Sequence, residues 1–128
     1  TICGVRLIMN KDPFTENKKI HENEHAFSLL DGYPVTEGHM LVVPKRKVPE
    51  IFDLTDKEYQ ACFDLVRVVK DHLINKYGTK SFNIGINCGT DAGQTIFHAH
   101  IHIIPRYKND VTNPRGGVRN VIPNKADY

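Results

Sequence analysis

The chain has 128 residues, 40% of them hydrophobic and 25% charged, with a formal net charge of +2 at pH 7. That length supports one hydrophobic core without disulfide or metal staples, and no apolar run approaches the roughly 18 residues of a membrane span. The charge is too small for a nucleic-acid wrapper; basic residues gather at Lys45, Arg46 and Lys47 and again at Arg106, Lys108, Arg115 and Arg119, which suits a small anionic ligand.

Cys3, Cys62 and Cys88 are odd in number and widely spaced, as reduced thiols are. The first residues lack the layout of a signal peptide, so a cytoplasmic location is the expectation. No repeat or Ser/Gly linker divides the chain. Residues 1–128 therefore read as a single domain with a polar extension over 107–128.

Thr1 to Lys19 mixes a short apolar run with turn formers at Asn10, Asp12 and Pro13, and reads as a short helix or irregular cover. Lys19 to Asp31 reads as two strands around the turn Glu22, Asn23, Glu24. After the turn-rich Asp31-Gly32-Tyr33-Pro34, the run Gly38 to Pro44 reads as a strand closed by Pro44, with His39 at its entrance.

Asp53 to Gly78 carries the clearest helix. Thr55 and Glu58 form a capping box, Gly78 ends the helix, and Tyr59, Cys62, Phe63, Val66, Val69, Leu73 and Tyr77 recur on one face. That stripe reads as core. Phe82 to Asn87 alternates as a half-buried strand, and Gly89 to Gly93 turns it back towards Gly93 to Arg106, placing Asn87 near the histidines.

That last segment, GQTIFHAHIHIIPR, alternates His98, His100 and His102 with Ala99, Ile101 and Ile103. As a strand it puts three imidazoles on one face and the apolar side chains on the other. Three readings compete: a solvated strand face, a metal site and imidazole catalysis. Same-face neighbours on a strand stand about 6.8 Å apart and the outer pair about 13 Å, whereas zinc needs each nitrogen at about 2 Å, so at most two of the three could share an ion. Companion ligands are scarce, as there is no Cys-x-x-Cys and no local gathering of carboxylates. Imidazole is largely neutral at pH 7 and can attack phosphorus directly.

The run His98-Ala99-His100-Ile101-His102-Ile103-Ile104 resembles the hallmark of the histidine triad (HIT) superfamily of nucleotide hydrolases and transferases, three histidines alternating with apolar residues. Tyr33 to Pro44, Asn87 and Gly93-Gln94-Thr95 extend the resemblance, which covers about residues 20–106. It implies an α+β HIT fold, with an antiparallel sheet of about five strands, a long helix packed on it, and a homodimer.

The resemblance also implies roles. His100 would be the nucleophile that forms a nucleotidyl-histidine at the α-phosphate, His98 and His39 would orient it, and His102 would serve the phosphate oxygens or the leaving group. Asn87, Gln94 and Thr95 match phosphate-side positions, Asp31 a ribose position, and Leu7, Ile8 and Leu29 are candidate walls for the base. No cofactor is implied for the chemistry. Zinc-containing members resemble a Cys-x-x-Cys near the start and a histidine after the strand at His39; here Cys3 stands alone and Lys47 takes the histidine position, so no structural zinc is expected.

The tail lacks Trp, unlike the phosphoramidase-like branch, and resembles bacterial-type members that act on dinucleoside polyphosphates. Phosphoramidate hydrolysis, a nucleotide-binding dimer with vestigial catalysis, and processing of nucleic-acid ends are the alternatives. The last is disfavoured by the absence of a basic extension or zinc finger.

Overall fold

The computed structural model describes residues 13–16 and 18–127. Its main elements are α1 (Pro13–Glu16), β1 (Ala26–Leu30), β2 (Met40–Pro44), α2 (Asp56–Tyr77), β3 (Ser81–Gly85) and β4 (Ile101–Arg106), with short 3-10 helices at Ile51–Asp53, Thr90–Ala92 and Gly117–Val121. The four strands form one antiparallel sheet in the order β1-β2-β4-β3. The architecture is the expected α+β one. No described helix is long and apolar enough to cross a membrane.

Among the described residues the sheet has four strands, where about five were expected. Residues 20–22 run back along β1, but only through the bridge Glu22 to Phe27 and the bonds Ile20 N–H to Ser28 O and Ser28 N–H to His21 O. The His21 N–H goes to the Ser28 hydroxyl, so a side chain replaces the ladder there. Asn23 makes the turn, its Oδ1 accepting the His25 and Ala26 N–H groups while its amide donates to Ala61 O on α2.

Helix α2 begins as its capping box dictates, with Thr55 accepting the Glu58 N–H and the Glu58 carboxylate accepting the Thr55 N–H; Gly78 closes it at φ 79°. Cys62, Leu65, Val66, Val69 and Leu73 are buried against Ala26, Met40, Val42, Ala99, Ile101 and Ile103. Phe63, anticipated on that face, is 44% exposed because it stands about 100° round the axis from Cys62. The second face of the sheet buries Phe27, Leu29, Leu41 and Val43 with Phe14 of α1 and Ile96. One sheet thus packs on both faces, and only the second face leads to the histidines.

The tail folds back on the sheet. Arg106 pairs with Asp110 and donates to Asn83, the Tyr107 hydroxyl donates to Glu37 O, and the 3-10 helix Gly117–Val121 packs on β3. At the opposite end of the molecule Arg46 grips Glu58 through two nitrogens at 2.8 and 3.0 Å.

That grip, the Arg46 hydrogen bond first and the N-cap backbone N–H next, lowers the Glu58 carboxyl from 4.5 to about 2. A depressed carboxyl contributes stability above its unfolded value and loses it as pH falls through the folded one. Urea-unfolding midpoints of the wild-type protein are expected to drop between pH 4.5 and 2, and E58Q should be weaker at pH 7 with this acid limb flattened. T55A, which removes the cap, should cost about 1 kcal/mol.

Candidate functional site

The histidine segment is not one continuous strand. β4 begins at Ile101, so of the three histidines only His102 lies in the sheet. Pro44 ends β2 and has no N–H to offer a longer ladder. The chain before Ile101 bonds instead across the end of β2, with Ala99 N–H donating to Val48 O.

His98 is consequently 2% exposed, donates its Nε2–H to Pro44 O at 2.8 Å, and lies outside the cleft that His100 and His102 line. The expected single face of three imidazoles divides into one structural ring and two cleft rings. Ala99, Ile101 and Ile103 are buried under α2, as the alternation requires.

The cleft measures about 480 Å³ and, among the described residues, is lined by four separate segments. Phe14 comes from α1, and Leu29, Asp31, Tyr33, His39 and Leu41 from β1, β2 and the turn between them. Asn87, Gly93, Gln94, Thr95 and Ile96 come from the β3–β4 connection, beside His100 and His102. Register explains the floor: Leu29 pairs with Leu41, Leu41 with His102, and His102 with Gly85, which has no side chain to crowd the imidazole.

Hydrogen-bond partners assign the proton on each ring. The Val35 N–H donates to His39 Nδ1 at 3.1 Å, so the neutral His39 ring carries its proton on Nε2. That Nε2 is 2.9 Å from His102 Nδ1, which therefore accepts, leaving the His102 proton on Nε2. His100 Nδ1 is 2.8 Å from His98 O, an acceptor only, so this ring holds its proton on Nδ1 and a lone pair on Nε2.

Asp31 has two tasks. Its Oδ1 accepts the Tyr33 N–H at 2.8 Å and shapes the turn, while Oδ2 lies 3.5 Å from His39 Nε2 and 3.9 Å from His102 Nδ1. Among the described residues Asp31, His39 and His102 bring three potential ligand atoms within 4.8 Å. A point about 2.0 Å from all three exists, the length of a zinc–nitrogen bond. The chemistry of the donor set does not fit, because the Val35 N–H forces onto His39 Nε2 the proton that a metal would have to replace.

Gln94 is placed differently from expectation. Its amide donates to Pro49 O and Ile96 O and its Oε1 accepts the Gly89 N–H, so both donors brace the loop and none is left for a phosphate. Asn87 and Thr95 line the cleft and are exposed. Leu29 lines it as well, whereas Leu7, Ile8 and Cys3 fall outside the described residues. Phe14 is a site residue that the sequence does not reveal; it lies in the segment read as a short helix or irregular cover, and nothing local in the sequence links it to residues 98–102.

A family model described as the HIT domain matches residues 13–109. The chain belongs to the HIT domain family. Over 77 residues it is 47% identical to the asymmetrical bis(5'-nucleosyl)-tetraphosphatase of Schizosaccharomyces pombe, an alignment covering 60% of this chain and 42% of that protein. Over 90 residues it is 42% identical to the nitrilase and fragile histidine triad fusion protein NitFhit of Caenorhabditis elegans, covering 70% of this chain and 20% of the other. The HIT-domain chain thus spans less than half the length of either relative. Among solved structures, Plasmodium falciparum diadenosine triphosphate hydrolase superposes with a TM-score of 0.71 at 30% identity, covering 77% of this chain and 67% of that one.

Burial first, then the neighbouring His100 and His39, lowers His102 from 6.5 to about 4, with Asp31 opposing. Burial also lowers His39, again against Asp31. NMR titration of the unliganded protein should therefore find His102 neutral at pH 6 with a midpoint near 4. In D31N, which removes the opposing charge, the midpoint should move lower still.

Proposed function

We propose that this chain is a nucleotide hydrolase that cleaves a phosphoanhydride at the α-phosphate through a nucleotidyl-histidine on His100, with dinucleoside polyphosphates as its substrate class. The observation that carries this reading is the bond from His100 Nδ1 to His98 O, which leaves a lone pair on Nε2 of a ring lining a nucleotide-sized cleft. The tetraphosphatase and triphosphate-hydrolase relatives support the substrate class.

His100 Nε2 forms a bond to the α-phosphorus as the bridging P–O bond breaks, and the electron pair leaves on the departing polyphosphate oxygen. The modified ring becomes a cation whose Nδ1–H still donates to His98 O. Water then attacks the phosphorus, the P–N bond breaks, its pair returns to Nε2, and the surplus proton goes to solvent. Asn87 and Thr95 would meet the phosphate oxygens and Asp31 the ribose; Gln94 would act by holding the loop that presents Thr95.

The state of His102 favours this class over phosphoramidates. A neutral His102 offers Nε2–H as a hydrogen-bond donor but no proton to give away. A polyphosphate oxygen, whose last ionisation lies near pH 6, departs as an anion, whereas an amine must be protonated as it leaves. A homodimer is part of the same proposal, supported by the position of β3 at the edge of the sheet with Ile84 42% exposed.

H100A should lower turnover of diadenosine tetraphosphate by at least about 1,000-fold while nucleotide affinity stays within about threefold. Rapid-quench experiments on the wild-type protein should trap a nucleotidyl adduct on His100 and show faster turnover of the polyphosphate than of adenosine 5′-phosphoramidate. An H100A protein that keeps wild-type turnover would exclude this nucleophile.

A further inference from the structure

We propose that Phe14 is a positioning residue that fixes the tautomer and orientation of the His100 ring; this rests on the reading of His100 as nucleophile. Phe14 is 3% exposed, and its ring centroid lies 4.9 Å from that of His100 at an interplanar angle of 64°. The same ring lies 5.6 Å from that of His98 at 59°. Phe14 therefore packs on both residues of the hydrogen bond that sets the His100 proton, the donor and the residue that supplies the acceptor.

One hydrogen bond at Nδ1 leaves an imidazole able to rock about that bond. Among the described residues the rings of Phe14 at 4.9 Å and His102 at 5.0 Å, both steeply inclined to the His100 plane, limit the motion. His102 approaches from β4, inside the sheet, whereas Phe14 reaches the ring from α1, far away in sequence. Phe14 also belongs to the apolar cluster of Phe27, Leu29, Leu41, Val43 and Ile96, which anchors it on the sheet face below.

Removing the flat ring opens two routes to an inactive nucleophile. Water reaches the His98 carbonyl and competes for the Nδ1–H, and the imidazole gains room to turn. A ring that moves its proton to Nε2 has no lone pair there with which to attack phosphorus. Substrate contacts elsewhere in the cleft are left in place, so the loss belongs to kcat and not to KM.

The test compares F14L with F27L, a control in the same apolar cluster whose side chain does not line the cleft. For F14L we expect kcat on diadenosine tetraphosphate to fall on the order of 10–100-fold with KM within about threefold. In ¹⁵N-resolved NMR of the unliganded protein the His100 ring nitrogens, expected in the wild type as one protonated Nδ1 and one unprotonated Nε2, should move towards averaged values. F14Y, which keeps the ring, should restore both readouts, and F27L should leave both as in the wild type.

The proposal is overturned if folded F14L keeps wild-type kcat and distinct ring nitrogens, or if F27L lowers kcat as much. F14M replaces F14L if the latter fails to fold. The NMR readout separates this outcome from failure of the nucleophile assignment, because the tautomer of His100 is measured without turnover; an active H100A would remove the catalytic role and leave the ring-packing result standing.

Discussion

Everything at the site depends on how β2 ends. Pro44 has no N–H, so the ladder between β2 and β4 stops, but its carbonyl remains an acceptor and takes the Nε2–H of His98. That bond ties the approach to β4 against the end of β2 and buries His98 completely. The His98 carbonyl, so fixed, receives the Nδ1–H of His100. Two successive ring-to-backbone bonds convert the end of a strand into a defined tautomer on a ring that lines the cleft.

A parallel chain runs through the other pair of rings. The Val35 N–H dictates the proton on His39, His39 dictates the proton on His102, and the Asp31 carboxylate stands beside both. Burial outweighs the carboxylate and keeps the rings neutral. The two rings thus form a hydrogen-bonded pair beside a carboxylate, because one backbone N–H occupies the nitrogen whose protonation would have freed the other for an ion.

Much of the frame was legible because local rules decide it. Thr55, Glu58 and Gly78 mark α2 through capping chemistry that acts within three or four residues, and Ala99, Ile101 and Ile103 show the buried side of the histidine segment by alternation. What was not legible depends on partners distant in sequence. Gln94 braces its loop because the Pro49 and Ile96 carbonyls, 45 and two residues away in sequence, meet its amide. His98 leaves the cleft because Pro44 captures it, and residues 20–22 make only a bridge because the Ser28 hydroxyl intercepts a backbone N–H.

The sequence by itself determined the α+β class, the long helix and the alternation of residues 98–103. Periodicity and capping are properties of neighbouring residues, so one chain read in order contains them. Only the tertiary structure decided which imidazole is a strut and which lines the cleft, where each ring holds its proton, and that Phe14 reaches the His98–His100 bond. Those outcomes turn on single hydrogen bonds and ring contacts between distant segments, Phe14 and His100 among the described residues being 86 residues apart. Such contacts form only when β1, β2, β4 and α1 are assembled around the same cleft.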